Sequence, residues 1–348
     1  MISQADLLIL GLCGQSVFLT VPDFHQPEET LHATSFFCEP GGKGYNQAVA
    51  AARMGAKTAF AGAVGCDADA DACAARLALE GVQSLLIPKT GCHTAYAAIL
   101  TDAKGENRIT VYPGAVMSAE DVSALEPQLK AAKLVLLTPE IPEEAFAKAV
   151  QLAHIHHVRL IVNPAPFMPW VIPYLGDAWC VTPNRNEVCG MLGLSDAACL
   201  EAALADAPWP RMVVTLGAEG ALCVQNGRIT RIPAPMVTPV DTTGAGDALN
   251  GALCAALLAG CSLPEAAAAG VKAASLSVAR LHVLDGMPRR EDINECGDSL
   301  FTRVFTCTAN HPIDNPAVTR YLLTKVDARL AWRKGSRHKK RERRGNDK

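Results

Sequence analysis

Asp241-Thr-Thr-Gly-Ala-Gly-Asp247, followed by the mainly apolar stretch 248–257, is the part of the sequence that decides the fold. Its glycines at 244 and 246 allow a tight turn that brings several backbone N–H groups to the start of a helix. The helix dipole favours an anion at that point. Asp247 follows in the first turn, where a carboxylate can accept the proton of an attacking hydroxyl. The segment therefore predicts a phosphate site with a candidate base, although an acidic residue after a glycine turn also begins many ordinary helices.

A second glycine cluster, Pro40-Gly-Gly-Lys-Gly-Tyr-Asn-Gln-Ala48, leads into a predicted helix over residues 45–54. Lys43 and Asn46 add polar side chains that could bind sugar hydroxyls. The cluster is not a Walker A loop, because Gly44 follows Lys43 where that motif requires Ser or Thr. The three spaced glycines of a dinucleotide fold are also missing after the first predicted strand, which argues against nicotinamide chemistry.

Two shorter motifs each allow two interpretations. In Thr182-Pro-Asn-Arg-Asn-Glu187, the Asn and Glu three residues apart could organise a hydrated Mg²⁺ and its phosphates, or could form an ordinary capping box. Thr215-Leu-Gly-Ala-Glu-Gly220 leads into residues 221–224 as a hairpin-like loop that could lie beside a nucleotide, or it is a plain β-turn.

Apolar runs alternate with amphipathic stretches along most of the chain, which indicates parallel strands joined by helices. The predicted strands are residues 7–12, 58–61, 134–138, 159–163, 178–182 and 212–216. The predicted helices are residues 45–54, 68–80, 119–131, 142–156, 185–192, 195–205, 245–259 and 263–279. Residues 14–38 and 92–113 break this alternation and are expected to form a small β lid. We expect one α/β domain over residues 1–296.

Composition excludes several other classes of protein. The 348 residues are 49% hydrophobic and 19% charged, and no run reaches the roughly 18 apolar residues of a membrane span. A secretory signal begins with a positively charged region, but the first six residues contain no Lys or Arg. We therefore expect a cytoplasmic protein without a membrane partner. The 13 Cys form no Cys-x-x-Cys pair and are expected to be reduced thiols.

The end of the chain differs from the rest. Residues 297–348 do not continue the pattern, apart from a candidate helix over 317–333, and residues 329–348 hold 10 Lys and Arg against 2 Asp and Glu. Such a basic tail could contact nucleic acid phosphates. We favour a solvated extension that is partly disordered from residue 329, and do not expect a nucleic-acid partner.

The four motifs at residues 40–48, 182–187, 215–220 and 241–247, in this order along the chain, resemble the ribokinase/PfkB family of ATP-dependent sugar and nucleoside kinases. The resemblance covers about residues 5–290. Three further phrases are similar to its ribokinase branch: Pro27-Glu-Glu-Thr30, Ala48-Val-Ala-Ala-Ala-Arg-Met-Gly55 and Asn163-Pro-Ala-Pro166. The resemblance implies a ribokinase-like three-layer α/β/α domain with a mostly parallel central sheet and a small β lid. It also implies transfer of the γ-phosphoryl group of MgATP to a primary hydroxyl of a ribose-like sugar.

The resemblance also implies roles for individual residues. Asp247 would be the general base, and the amides of Gly244, Ala245 and Gly246 would form the anion hole. The sugar pocket would contain Gly42, Lys43, Gly44, Asn46 and Glu140, with Ser16 at its edge. The nucleotide would contact Asn184, Thr215, Leu216, Gly217, Ala218, Glu219, Gly220 and Gly246. Glu187, together with Asn184, would organise Mg²⁺ and the phosphates, and a K⁺ ion would be held by Asp241, Thr243, Ser277, Arg280, His282 and Gly286.

Three positions depart from the family pattern. Ser16 stands where the family has an Asp that binds sugar hydroxyls, and a hydroxyl cannot give the same charge-assisted acceptor. The family's Gly-Ala-x-x-Ser-x-Pro loop near the K⁺ site is here His282-Val-Leu-Asp-Gly-Met-Pro288. Val271 occupies a position near the adenine that is often Asn or His, which suggests packing instead of a hydrogen bond.

These departures leave other functions open. A nucleoside kinase of the same family differs only in its acceptor, and a sugar-binding pseudokinase would lack turnover. Lid strands with exposed edges often pair between subunits, so we also expect a homodimer.

Overall fold

Two β-sheets form the framework of residues 4–194 and 200–294, which are the residues that this computed structural model describes. The large sheet contains β1 (Leu7–Leu10), β4 (Thr58–Val64), β5 (Gln83–Pro88), β8 (Leu134–Leu137), β9 (Arg159–Val162), β10 (Cys180–Val181), β11 (Arg211–Thr215), β12 (Ala221–Gln225) and β13 (Arg228–Ile232). The small sheet contains β2 (Gly14–Thr20), β3 (Ser35–Gly41), β6 (Ala95–Thr101) and β7 (Asn107–Tyr112).

The large sheet has the order β13-β12-β11-β10-β9-β8-β1-β4-β5 and is parallel from β5 to β11. β12 and β13 continue it in antiparallel fashion. The hairpin predicted at Thr215–Gly220 is present, because the glycine turn joins β11 to the antiparallel strand β12, which is buried. The prediction of a mostly parallel central sheet is confirmed.

Helices cover both faces of this sheet. They are α1 (Lys43–Arg53), α2 (Ala68–Leu79), α3 (Ala119–Ala124), α4 (Glu126–Ala131), α5 (Glu143–Ile155), α6 (Arg185–Leu192), α7 (Leu200–Ala205), α8 (Ala245–Leu258), α9 (Leu263–Ser277), α10 (Val283–Gly286) and α11 (Arg290–Asn294). Leu7 and Ile9 of β1 pack in the core that contains α1, α2, α8 and α9. Leu8 and Leu10 point to the opposite core, with α3 to α7. This division into two cores confirms the three-layer architecture.

Two predicted elements need correction or fall partly outside the description. The single helix expected over residues 119–131 is interrupted at Leu125, and α4 restarts with Pro127 in its first turn, where proline is tolerated. The helix expected over 195–205 is described only from Leu200 onward, as α7. The candidate helix 317–333 and the whole extension 297–348 lie outside the described residues.

The small sheet has the order β3-β2-β6-β7 and corresponds to the predicted lid segments. β3 extends three residues beyond the predicted limit of 38 and ends at Gly41, directly before α1. Gly41 and Gly42 therefore connect the small sheet to α1, which packs on the large sheet.

Two further observations concern composition. In the described part of the chain, every helix is too short or too polar to span a bilayer. The cysteines described there are free thiols, as expected.

Candidate active site

The turn before α8 has the conformation that its glycines predict. Gly244 is the N-cap residue with φ 79°, a left-handed conformation that suits glycine. A β-carbon built on Gly244 would lie 2.5 Å from Cγ1 of Val283, so the packing also requires glycine. Gly246 faces open space, because a β-carbon there would meet no atom within 4 Å. The N terminus of α8 is thus accessible to an anion.

Asp247 lies in the first turn of α8 and its carboxylate is held from α1. One oxygen accepts an N–H from the Asn46 amide and the other accepts one from Gln47, both at 3.0 Å. Burial raises the pKa of this carboxyl, since only 6% of the residue is exposed; Lys43 and the two amides act in the opposite direction. A raised pKa makes the carboxylate a stronger base.

The close contact between α1 and α8 makes this arrangement possible. Gly251 lies one turn after Asp247, and a β-carbon on it would come within 2.4 Å of Cβ of Ala50. Small residues on both helices let the backbones approach closely, so short amide side chains on α1 reach a carboxylate on α8.

A chain of buried polar groups extends from Asp247 to the ends of two strands. Gln47 also donates to Asn163 at 3.0 Å, and Asn163 donates to the carbonyl of Thr182 at 2.7 Å. Thr182 donates to Asn250, which in turn donates to the carbonyl of Gly246. None of Gln47, Asn163, Thr182 and Asn250 was predicted from the sequence as a site residue. Gln47 and Asn163 do stand inside recognised motifs, as polar residues in apolar surroundings, which is a usable signal.

The loop before α1 is the second part of the site. Gly42 has φ 116°, and a β-carbon on Gly44 would lie 2.8 Å from Cα of Gly11, so both positions need glycine. The backbone N–H of Lys43 donates to Oε2 of Glu140 at 2.7 Å. Burial raises the pKa of Glu140 to about 7. The pKa of Lys43 is also raised, mainly by Asp247 and further by Glu140 and Glu187.

Ser16 lies at the edge of this loop, on β2. It is paired with Glu39 on β3 and with Ala97 on β6, and a β-carbon on Gly41 would come within 2.7 Å of its Oγ. Three buried polar atoms nearby, Asn46 Oδ1, Gln47 Oε1 and Thr138 Oγ1, have no hydrogen-bond partner among the described residues.

A cavity of about 560 Å³ opens beside Gly246, between the turn after β11 and the helices α8 and α9. It is lined mostly by apolar side chains, as is usual in small-molecule sites. Its lining includes the predicted residues Thr215, Gly217, Ala218, Gly220, Ala245, Gly246 and Val271. It also includes residues that were not predicted from the sequence: Ala234, Pro235, Met236, Val237, Pro239, Thr242, Leu249, Ala274, Ser275 and Val278.

Two predicted nucleotide residues and the candidate Mg²⁺ pair do not line this cavity, although Asn184 is paired with the lining residue Thr215. Leu216 is buried, and Glu219 pairs with Arg185 at 2.5 Å. Asn184 and Glu187 form a reciprocal capping box at the start of α6, with bonds of 2.7 and 2.8 Å. Burial raises the pKa of Glu187. Within the described residues, no group of three or more His, Cys, Asp or Glu side chains is arranged to hold a metal ion.

The two segments predicted to hold K⁺ are adjacent. The carbonyl of Val278 accepts the N–H groups of Val240 and Asp241, and Asp241 Oδ1 accepts the N–H of Thr243 at 2.9 Å. In the second segment, the Ser277 carbonyl accepts from Arg280 and the His282 carbonyl from Gly286. A carboxylate and several carbonyls offer oxygen ligands for a cation, but Gly286 has no hydroxyl where the family pattern has Ser.

A buried carboxylate beside an open, glycine-capped helix N terminus, between a small polar loop and an apolar cavity, suits an enzyme that transfers a phosphoryl group between two small molecules. The comparisons with known proteins identify the kind of acceptor. The family model of the pfkB carbohydrate kinases matches residues 4–290. The chain belongs to this family and is a carbohydrate kinase, which transfers a phosphoryl group to an alcohol group of a sugar.

Known relatives cover most of the chain. Ribokinase from Bacillus subtilis is 35% identical over 297 residues, which are 83% of this chain and 98% of that protein. The crystal structure of ribokinase from Thermotoga maritima superposes with a TM-score of 0.77 at 28% identity, covering 86% of this chain and 99% of that one. Ribokinase from Cryptococcus neoformans in complex with ADP gives 0.73 at 26% identity, covering 84% and 99%.

Proposed function

We propose that this carbohydrate kinase transfers the γ-phosphoryl group of MgATP to a primary hydroxyl of a ribose-like sugar. The observation that carries the proposal is the position of Asp247, buried between the amides of α1 and the open N terminus of α8. The B. subtilis relative, named ribokinase, supports the sugar class.

In this proposal Asp247 accepts the proton of the sugar hydroxyl as that oxygen attacks the γ-phosphorus. The bonds from Asn46 and Gln47 fix the direction of the carboxylate without occupying all its lone pairs. The nearby ammonium of Lys43 opposes the effect of burial on the pKa of Asp247 and favours its ionised form. The ionised form is the one that can act as a general base.

The amides of Gly244, Ala245 and Gly246 would stabilise the negative charge that develops on the transferred group. Removing one preorganised donor of this kind typically costs about 3–4 kcal/mol of transition-state stabilisation. The apolar cavity beside Gly246 fits an adenine base, with Val271 packing against it, and Thr215 to Gly220 form one wall. Leu216 and Glu219 would contribute to the shape of that wall, and Asn184 would contact the nucleotide through its phosphates.

The sugar would bind between the small sheet and the loop before α1. Gly42, Lys43, Gly44, Asn46 and Glu140 surround this space, and the unpaired oxygens of Asn46 and Thr138 are ready partners for hydroxyls. Ser16 offers a neutral hydroxyl, so we expect a weaker hold on the hydroxyls at that edge than a carboxylate would give.

Two cations belong to the proposal. Glu187 and Asn184 would hold Mg²⁺ through its waters and the nucleotide phosphates, because Mg²⁺ in kinases is bound by few protein ligands. The ion supplies charge neutralisation of the phosphates. K⁺ would lie among Asp241, Thr243, Ser277, Arg280, His282 and Gly286, whose oxygen donors suit it although one hydroxyl is lost.

Two proposals concern the whole chain. We propose that the kinase domain ends near residue 296, which the family match over residues 4–290 supports. We also propose a homodimer formed through the small sheet. Its edge strand β7 is exposed along its whole length, and an uncovered edge is usually paired or protected.

The test is ADP release from MgATP, with and without K⁺, over ribose, 2-deoxyribose, fructose, adenosine and pseudouridine. We expect turnover with a furanose sugar, reduced by about 10²–10⁴-fold in Asp247→Ala and Asp247→Asn. Asp102→Asn is the control, since Asp102 is a buried carboxylate in the turn between β6 and β7. Turnover only with a nucleoside would replace the sugar by a nucleoside acceptor, and full activity of the Asp247 variants would refute the assigned base.

A further inference from the structure

Glu39 is a buried carboxylate that the proposed mechanism does not use. It lies on β3, two residues before Gly41, and only 3% of it is exposed. Its two oxygens accept the backbone N–H groups of Val283 at 2.9 Å and Leu284 at 3.1 Å. These N–H groups open the short helix α10, more than 240 residues away in sequence. A buried charge is retained in this way only when it is hydrogen-bonded.

A second contact joins the same strand to the same segment. Phe37 lies on the same face of β3 as Glu39, and its ring stacks on that of His282 with centroids 3.6 Å apart. His282 has φ 69° and ψ 157°, a conformation that is rare for any residue other than glycine. Such a backbone persists only where its surroundings hold it, and β3 provides both the ring contact and the carboxylate.

The segment held by Glu39 contacts the phosphate turn. The N–H of Val283 donates to Glu39, and its side chain packs against Gly244. Its Cγ1 lies 2.5 Å from the position that a β-carbon on Gly244 would occupy. Gly244 is the N-cap of α8 and carries the left-handed turn that aims the following amides. One hydrogen bond and one side-chain contact therefore connect Glu39 to Gly244.

We propose that Glu39 is a positioning residue for phosphoryl transfer, whose carboxylate holds Val283 against Gly244 and thereby fixes the amides at the N terminus of α8. The role rests on the proposed function of those amides. Because β3 also leads into the loop before α1, Glu39 links the wall of the sugar site to the phosphate turn. Movement of the small sheet on substrate binding would be transmitted to the turn through this link.

The link depends on the charge of Glu39. Burial raises its pKa to about 7, against the effect of the two N–H groups. Asp285 on α10 raises this pKa further, whereas Arg76 on α2 lowers it; His282, in the same segment, stacks on Phe37. When Glu39 is protonated, the oxygen that carries the proton becomes a donor and a much weaker acceptor, so one of the two N–H bonds is weakened.

The test compares Glu39→Gln, Glu39→Asp and the matched control Asp102→Asn. Asp102, in the turn between β6 and β7, is also a buried carboxylate that accepts two backbone N–H groups, from Lys104 and Glu106. Its hydrogen bonds do not involve residues 282–286. We expect Glu39→Gln to lower kcat by about 10-fold or more, since small misplacements of aligned groups are costly. The KM values for ATP and sugar should change much less, and Asp102→Asn should behave as the wild type.

Hydrogen–deuterium exchange provides a readout that does not need turnover. In Glu39→Gln, the amides of residues 242–248 should exchange faster than in wild type and in Asp102→Asn. The wild-type protein should show the same acceleration, beyond the chemical effect of pH, as pH falls below about 7, and Glu39→Gln should not. Equal exchange in all three proteins would refute the role of Glu39 even if the wild type had no activity.

Val283→Ala covers the case in which the Glu39 variants do not fold. It removes the contact with Gly244 and leaves the carboxylate in place, so it should also lower kcat at similar KM. Unchanged kcat in a folded Val283→Ala or Glu39→Gln variant would overturn the proposal. An inactive wild type with the expected exchange difference would instead contradict the proposed reaction and leave the link between Glu39 and the turn supported.

Discussion

The carboxyl group of Glu140 is largely withdrawn from solvent beside Lys43 and Asp247, and this desolvation raises its pKa to about 7 from an ordinary value of 4.5. The folded protein therefore binds more protons than the unfolded chain between these two pH values. The free energy of unfolding must fall as pH rises through this window, and the full penalty is present above it. The proposed sugar site thus contains a group that destabilises the fold at neutral pH.

Glu140→Gln should therefore stabilise the protein above about pH 7. A glutamine can still accept the N–H of Lys43 but carries no charge to desolvate. We expect an increase in unfolding free energy of up to about 3 kcal/mol, which disappears below about pH 4.5. Denaturant unfolding at a series of pH values measures it.

The control for this prediction is Glu144→Gln, which changes an exposed carboxylate on α5. It should change the unfolding free energy by much less than Glu140→Gln across the pH series. A gain for Glu140→Gln that is independent of pH would show that its origin is packing and not the ionisation of Glu140.

At the scale of elements, α1 and α8 must lie close enough for Asn46 and Gln47 to reach Asp247. Gly251→Ala inserts one methyl group where Ala50 Cβ would be 2.4 Å away, and the neighbouring backbone of α1 cannot give way easily. We expect a loss of about 1–3 kcal/mol of stability from overpacking. Displacement of Asp247 should also lower kcat by up to about 10²-fold.

The control for the glycine change is Gly176→Ala, because a β-carbon there would meet no atom within 4 Å. This variant should be neutral or slightly more stable. Thermal melting and steady-state kinetics on both proteins check the prediction. Wild-type kcat in Gly251→Ala would show that the contact between α1 and α8 does not set the position of Asp247.

The elements differ in how far the sequence could predict them. Strands such as β1 and β8 were predicted because both faces are buried, which gives continuous apolar runs. β5 and β13 lie at the edges of the sheet, are only partly buried and carry polar residues, so neither stood out in the sequence. The glycine turn after β11 did predict a hairpin with β12, whereas nothing in the local pattern shows that β13 extends the sheet further.

The site shows the same limit. Asp247, Gly244 and Lys43 could be selected because glycine-rich turns and charged residues form recognisable local patterns. The contact between Glu39 and Val283 could not be predicted, because it joins residues that are close only after β3 and α10 have packed. Contacts that depend on tertiary packing leave no local signal, and they are the ones that fix the geometry of the catalytic groups.

At the scale of the molecule, the small sheet presents apolar side chains that the described fold does not cover. Ile109 on β7 is 58% exposed, and Val111 and Tyr112 on the same strand are also more than half exposed. Exposed apolar groups along an unpaired edge strand are typical of an interaction surface. The proposed homodimer would bury them against the same sheet of a second copy.

Ile109→Lys should therefore convert the dimer into a monomer, because a lysine on each copy would place two like charges in an apolar contact. The mass in sedimentation or light-scattering experiments should fall from twice 36.7 kDa to the mass of one chain. The control is Ile155→Lys, which introduces the same charge at an exposed isoleucine at the end of α5 and should leave the dimer intact. A wild-type protein of single-chain mass at every concentration would contradict the dimer, and a dimeric Ile109→Lys would show that the interface does not involve β7.

Loss of the dimer should also affect sugar binding, because β7 pairs with β6 and β6 pairs with β2, the strand that carries Ser16. The KM for the sugar should therefore rise more than the KM for ATP.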